Sequence, residues 1–163
     1  MKWLLAIISA IVLTTSATYG ATIKRSYQAV MHVHDSHAKP VLDQPDHVVG
    51  IGAFRGLATF KNGDVAIHRY DGWFDLTKGT GKFHGYALWR YEDGSELRAA
   101  YDGSANKSGN NVFEVKARFH SFRGTGQYSG VSGKGSFSGR RFEPIEKGGS
   151  TLLNGTLTLT LPN

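Results

Sequence analysis

Apolar and polar side chains alternate along most of this chain with a period of two. From Ile23 to Val33 the apolar or aromatic positions are Ile23, Tyr27, Ala29, Met31 and Val33, with Lys24, Ser26, Gln28 and His32 between them. That is the pattern of a half-buried strand. Phe83 to Tyr91 sets Phe83, Ala87, Trp89 and Tyr91 on one face against His84, Tyr86, Leu88 and Arg90 on the other. Val112 to Phe122 sets Phe113, Val115, Ala117 and Phe119 against Glu114, Lys116, Arg118 and His120. Further strands are expected over 48–60, 65–76, 96–101 and 151–161. The second strand carries Gly50, Gly52 and Gly56, residues that inside strands mark bulges, bends or close backbone approach. No stretch keeps the helical period for long enough to form a helix.

The punctuation between these runs is that of hairpins. Lys61-Asn62-Gly63-Asp64 and Glu92-Asp93-Gly94-Ser95 place Asn-Gly and Asp-Gly where a tight turn needs positive φ. Polar stretches without a period, 34–44, 102–110 and 140–149, are expected to be loops. Short strands at even spacing with glycine turns predict an all-β domain, and about eight of them favour a small closed antiparallel eight-stranded β-barrel. Closure removes the exposed edges that such a chain would otherwise present. A jelly-roll sandwich is the alternative that the pattern leaves open.

Composition changes this picture mainly at the N-terminus. Met1 and Lys2 precede the apolar run Trp3 to Leu13, and small or polar residues follow to Gly20. A single basic residue, an apolar stretch of about 11 residues and a small-residue exit form a secretory signal peptide. The run is far short of the roughly 20 residues that a spanning helix needs. Residues 1–20 are therefore expected to be a cleaved signal and 21–163 a single barrel domain with no membrane span, secreted or periplasmic. There is no cysteine, so neither a disulfide framework nor a thiol nucleophile is available. The net charge of +6 is spread over lysines and arginines interleaved with acids along the chain, and no nucleic-acid partner is expected.

Gly124-Thr125-Gly126-Gln127-Tyr128-Ser129-Gly130-Val131-Ser132-Gly133 is the most distinctive segment. Physically it reads as a tight turn at Gly124 to Gly126, an aromatic plug at Tyr128, and glycines that let the chain cross close to a barrel end before Phe137 rejoins the sheet. Its glycine spacing is not that of a dinucleotide fingerprint, and no cofactor is expected. The segment resembles the Gly-Thr-Gly-x-aromatic-x-Gly-x-x-Gly element of the allene oxide cyclase-like barrels, a group that includes the dirigent proteins. The resemblance implies an eight-stranded barrel, often a homotrimer, that holds a small apolar or amphipathic molecule in its lumen. It also implies either an isomerase or cyclase acting inside the barrel or, as the alternative, a non-catalytic lipocalin-style carrier or exported accessory protein.

Candidate chemistry falls into three sets. His32 and His34 lie two apart, the arrangement of a metal-binding pair, with Asp35, His37 and His47 near enough in sequence for a third ligand. They sit where a strand runs into a polar loop, so surface histidines and no metal are expected. Glu96, Arg98 and Asp102 in one run, and Glu114, Lys116 and Arg118 in another, each put both signs of charge on one face of their own strand. Outside the barrel these would be solvated ion pairs. Inside, Arg98 would clamp an anionic ligand and Glu96 or Glu114 would act as acid or base. The third set is aromatic: Tyr70, Trp73, Trp89, Tyr91 and Tyr101 are the candidates to line a ligand site, and they serve equally as core.

Overall fold

The computed structural model describes residues 20–163, so the leader expected over 1–20 lies, apart from Gly20, outside the described residues. Eight strands follow one another: β1 (Thr22–Val41), β2 (Gln44–Phe60), β3 (Val65–Thr77), β4 (Thr80–Tyr91), β5 (Glu96–Lys107), β6 (Phe113–Gly124), β7 (Ser132–Arg141) and β8 (Thr151–Thr160). Each pairs antiparallel with the next, and β8 pairs with β1 to close an eight-stranded barrel. Closure decides for the barrel over the jelly roll.

Two of the expected loops are strands. The segment 34–44 belongs mostly to an arm in which Ala38 opposes Gly50 and Pro40 opposes Val48. Most residues of 34–44 are exposed although they pair with β2, so no apolar face was required there and the period-two signal is missing. Likewise 102–107 continues β5, where Gly103 opposes Ala117 and Ala105 opposes Val115. The third, 140–149, starts as the end of β7 and contains a short 3-10 turn at Ile145–Lys147.

Inward-facing positions follow the predicted period. Tyr27, Ala29 and Met31 of β1, His68, Tyr70 and Phe74 of β3, Ala87, Trp89 and Tyr91 of β4, and Val115, Ala117 and Phe119 of β6 are all buried. In β6 the period slips once. Ser121 adopts φ 53°, and a register shift opposite Arg98 and Ala100 makes a bulge. Beyond it Phe122 points inward and Arg123 outward.

Glycines make this aromatic lumen possible. A Cβ on Gly155 would overlap the Tyr27 ring, and Cβ atoms on Gly72 and Gly85 would run into the Tyr101 hydroxyl. Large rings on one strand are thus seated over bare backbone on another, the small-against-large alternation that fits side chains into a narrow barrel. The same rings pack on one another: Tyr70 and Tyr101 lie 5.3 Å apart edge to face, and Trp89 and Phe119 5.1 Å apart.

The two barrel ends differ. At the end holding the β2–β3 and β4–β5 turns, the chain from Gly124 to Val131 crosses the opening through a 3-10 turn at Gly126–Tyr128. Tyr128 is buried there, its ring 5.0 Å from that of Tyr91. This end is plugged. The opposite end, under the β7–β8 connection, retains open space.

Candidate functional site

The space is a cavity of about 80 Å³ in the lumen, enough for several water-sized groups. Its wall is apolar, built from Met31, Phe54, Phe74, Leu76, Phe83, Val115, Phe137 and Leu153, with Ile145 of the connection above. The lining residues with polar groups on their side chains are Tyr70, Trp73, Tyr101, Arg141 and Thr151.

Strand lengths explain how the connection lies over the cavity. The pairing of β8 with β1 begins at Thr151 opposite Met31, and β1 continues past it. The Val33 amide there donates to Gly148 O at 2.8 Å, which ties the connection to the projecting strand. Ser150 is held from below, its amide donating to Glu143 Oε1 at 3.1 Å and its hydroxyl to the same oxygen at 2.5 Å. These bonds hold the Glu143 carboxyl below the usual carboxylate range.

Arg141 is the unusual member. It is 6% exposed and points inward from the last position of β7, its guanidinium 4.5 Å above the Phe113 ring. Its Nε is sealed from solvent without a hydrogen-bond partner, and among the described residues the side chain enters no ion pair. Burial lowers its pKa to about 10, while the Glu146 carboxylate on the connection acts in the opposite sense. The group is still a cation at neutral pH. The tyrosine hydroxyls are pushed up: Tyr70 by burial and by its neighbours Tyr27 and Tyr101, and Tyr101 by burial and by Asp71. Both are neutral donors. Tyr70 shares a 3.3 Å hydrogen bond with Tyr27.

A second polar group is buried deeper. His68 is wholly enclosed, with its Nδ1 donating to Leu88 O at 2.9 Å, since the carbonyl can only accept. Its ring stacks on Trp89, the residue opposite it on β4, at 4.6 Å. Burial lowers its pKa to about 3, and the backbone bond to Leu88 offsets only part of that. His68 and Trp89 do not line the cavity.

The structure separates the residues singled out in the sequence. Glu96, Arg98 and Glu114 stand on the outer face, so the reading that placed them in the lumen as acid, base and clamp is corrected. The cause is register: their strand neighbours Leu97, Ala99, Phe113 and Val115 have the apolar side chains that fill the interior. Glu96 instead accepts from Arg90 Nη2 at 2.7 Å and pairs with Arg98, contacts that hold its carboxyl low. Trp73 is 47% exposed and stacked on His84 at 5.3 Å, and it also borders the cavity. Trp89 and Tyr91 are core. Tyr70 and Tyr101 do line the cavity. His32 and His34 are both exposed, but a register shift between Val33 and Asp35 interrupts the even alternation on which their pairing rested. His32 faces Ser150 Oγ at 3.2 Å. Arg141 was missed because it sat in an expected loop, flanked by Arg140 and Phe142. The available signal was its place four residues after Phe137, in phase with the inward face.

No family model matches this chain, and no curated protein does. Among solved structures it is similar to the pterocarpan synthase dirigent protein GePTS1, at 10% identity and a TM-score of 0.49 over 99% of this chain and 100% of that one. At that identity the likeness concerns the path of the chain alone.

Proposed function

We propose that this protein is an exported carrier whose lumen binds a small amphipathic molecule, tail in the apolar cavity and polar head against Arg141. The observation that carries the reading is the buried guanidinium that, among the described residues, enters no ion pair, Glu146 acting on it only from a distance. A buried charge left unpaired is costly, and natural interiors pair such groups. An anionic head would supply the missing partner through the paired hydrogen bonds that a planar guanidinium makes with a carboxylate. Carriage is favoured over isomerase or cyclase chemistry because the titratable groups on the cavity, Tyr70, Tyr101 and Arg141, all keep their protons at neutral pH. None is poised to exchange one, as a general acid or base must be.

Octanol and octanoate, equal in chain length, test the reading by calorimetry. Both should bind one to one, and Val115→Trp, which fills the cavity, should abolish both. Octanoate should bind about tenfold more tightly or better, a difference of about 1.4 kcal/mol. Arg141→Met should remove that preference while leaving octanol binding intact. Binding that survives Val115→Trp would place the molecules outside the lumen and overturn the proposal.

A further inference from the structure

The outer face of the barrel carries a row of arginines that is invisible along the chain. Register places His32 opposite Arg55, Arg55 opposite Arg69, Arg69 opposite Leu88, Leu88 opposite Arg98, and Arg98 opposite Arg123. The row therefore crosses six adjacent strands, β1 to β6, and contains two pairs of arginines directly facing each other. With neighbouring strands about 4.8 Å apart, the two pairs are centred roughly 14 Å from one another. Between them the wall is dished, with Leu88 and Ala100 on the floor, Arg69 on one side, Arg98 and Arg123 on the other, and Tyr86 and Thr125 at the rim.

Countercharge is sparse. Glu96 is shared by Arg90 and Arg98, and Asp71 lies on the same depression. Among the described residues Arg55, Arg69 and Arg123 enter no ion pair and no side-chain hydrogen bond. Like charges placed directly opposite on a sheet destabilise it, whereas an acid opposite each arginine would stabilise it. The row is built against sheet stability. The β6 bulge contributes to it, because the strained Ser121 resets the alternation and turns Arg123 outward, opposite Arg98.

We infer that this row is a binding track for an acidic polysaccharide, each facing arginine pair clamping one sulfate or carboxylate group of the sugar chain. Two guanidiniums a strand spacing apart can both donate to a single anion, which then screens their repulsion. Around this local depression the closed barrel curves away, so a stiff duplex or a planar bilayer meets it along a line, while a flexible chain can lie across all six strands. Single-stranded nucleic acid is disfavoured because Leu88 stands between the arginine pairs and the depression has one aromatic, Tyr86, where successive bases would need several to stack on.

A heparin-derived octasaccharide serves as the probe, with affinity measured by fluorescence anisotropy at several salt concentrations. The wild type should bind with an affinity that falls as salt rises, and Arg55→Gln/Arg69→Gln and Arg98→Gln/Arg123→Gln should each weaken binding about tenfold or more. Lys24→Gln/Lys134→Gln, which removes the same charge from β1 and β7, should change it by less than about threefold. The Arg55→Gln/Arg69→Gln variant should melt no lower than the wild type, since a repulsion has been removed and neither residue is in an ion pair, whereas Arg98→Gln/Arg123→Gln also gives up the Arg98–Glu96 pair. An equal loss in the lysine variant would reduce the effect to net charge and overturn the inference. So would tighter binding of oligo-dT of matched charge, or no binding of the octasaccharide at physiological salt.

Discussion

Gly155 and His68 show how closely single positions are matched to this interior. The Tyr27 ring is sealed on all sides and lies over the bare Gly155 backbone, so it has nowhere to move if a methyl group appears beneath it. Gly155→Ala should lower stability by about 1–3 kcal/mol, the usual cost of overpacking, as measured by urea unfolding. Tyr27→Leu in the same chain should recover part of that loss. His68 makes the fold sensitive to acid in a definite direction. Its pKa is about 3 when folded against an ordinary 6.5, so below pH 6.5 the unfolded chain takes up a proton that the folded chain refuses. The stability it contributes is complete above pH 6.5 and is lost as pH falls toward 3, at up to about 1.4 kcal/mol per pH unit. His68→Phe keeps a flat ring against Trp89 and should flatten the decline in melting temperature between pH 6.5 and 4. A decline as steep in the variant as in the wild type would assign the sensitivity to other groups.

At the scale of elements, the alternation of side chains was the reliable guide. It located seven of the eight strands, β7 being hidden in the glycine-rich segment, and in β4 and β6 it named the buried face residue by residue, because a strand covered on one side only must sort its side chains by polarity. The same rule explains where the signal vanished. In the β1–β2 arm most residues of 34–44 are exposed, and the segment carries no period although its backbone is paired. The glycine-rich crossing was legible as a plug, and its weight is testable: Tyr128→Ala should cost about 3–5 kcal/mol, as loss of a fully buried aromatic does. Circular dichroism at low temperature should still show a folded barrel, because the strands are paired independently of the plug.

At the scale of the molecule, the barrel sorts functions between inside and outside. The lumen is closed at one end by Tyr128 and left open beneath Ile145 at the other, which gives any guest one direction of entry. Ligand should therefore raise the melting temperature of the wild type, more for octanoate than for octanol, and the difference should vanish in Arg141→Met. Outside, a second row lies beside the arginines, where Leu152, Val30, Leu57 and Ile67 face one another in register across β8, β1, β2 and β3. Each is about half exposed. The expected homotrimer would bury this row, and Leu57→Glu should then shift sedimentation velocity toward the monomer. An unchanged sedimentation coefficient would leave the row without that role.

The sequence by itself determined the strands, the tight turns, the barrel as the favoured closure and the presence of enough rings to fill it, since each of these follows from local periodicity and turn chemistry. It left open which face of β5 looked inward, and so could not place Glu96 and Arg98, and it left open whether the charged face of β6 that carries Glu114 met water or a ligand. It also represented the basic residues as scattered. Only the tertiary structure decided these points, because register between strands is a long-range property: Arg55, Arg69, Arg98 and Arg123 are separated along the chain and become neighbours only when the sheet closes. Arg141 became notable for the same reason, as a cation is unpaired only with respect to everything that folds around it.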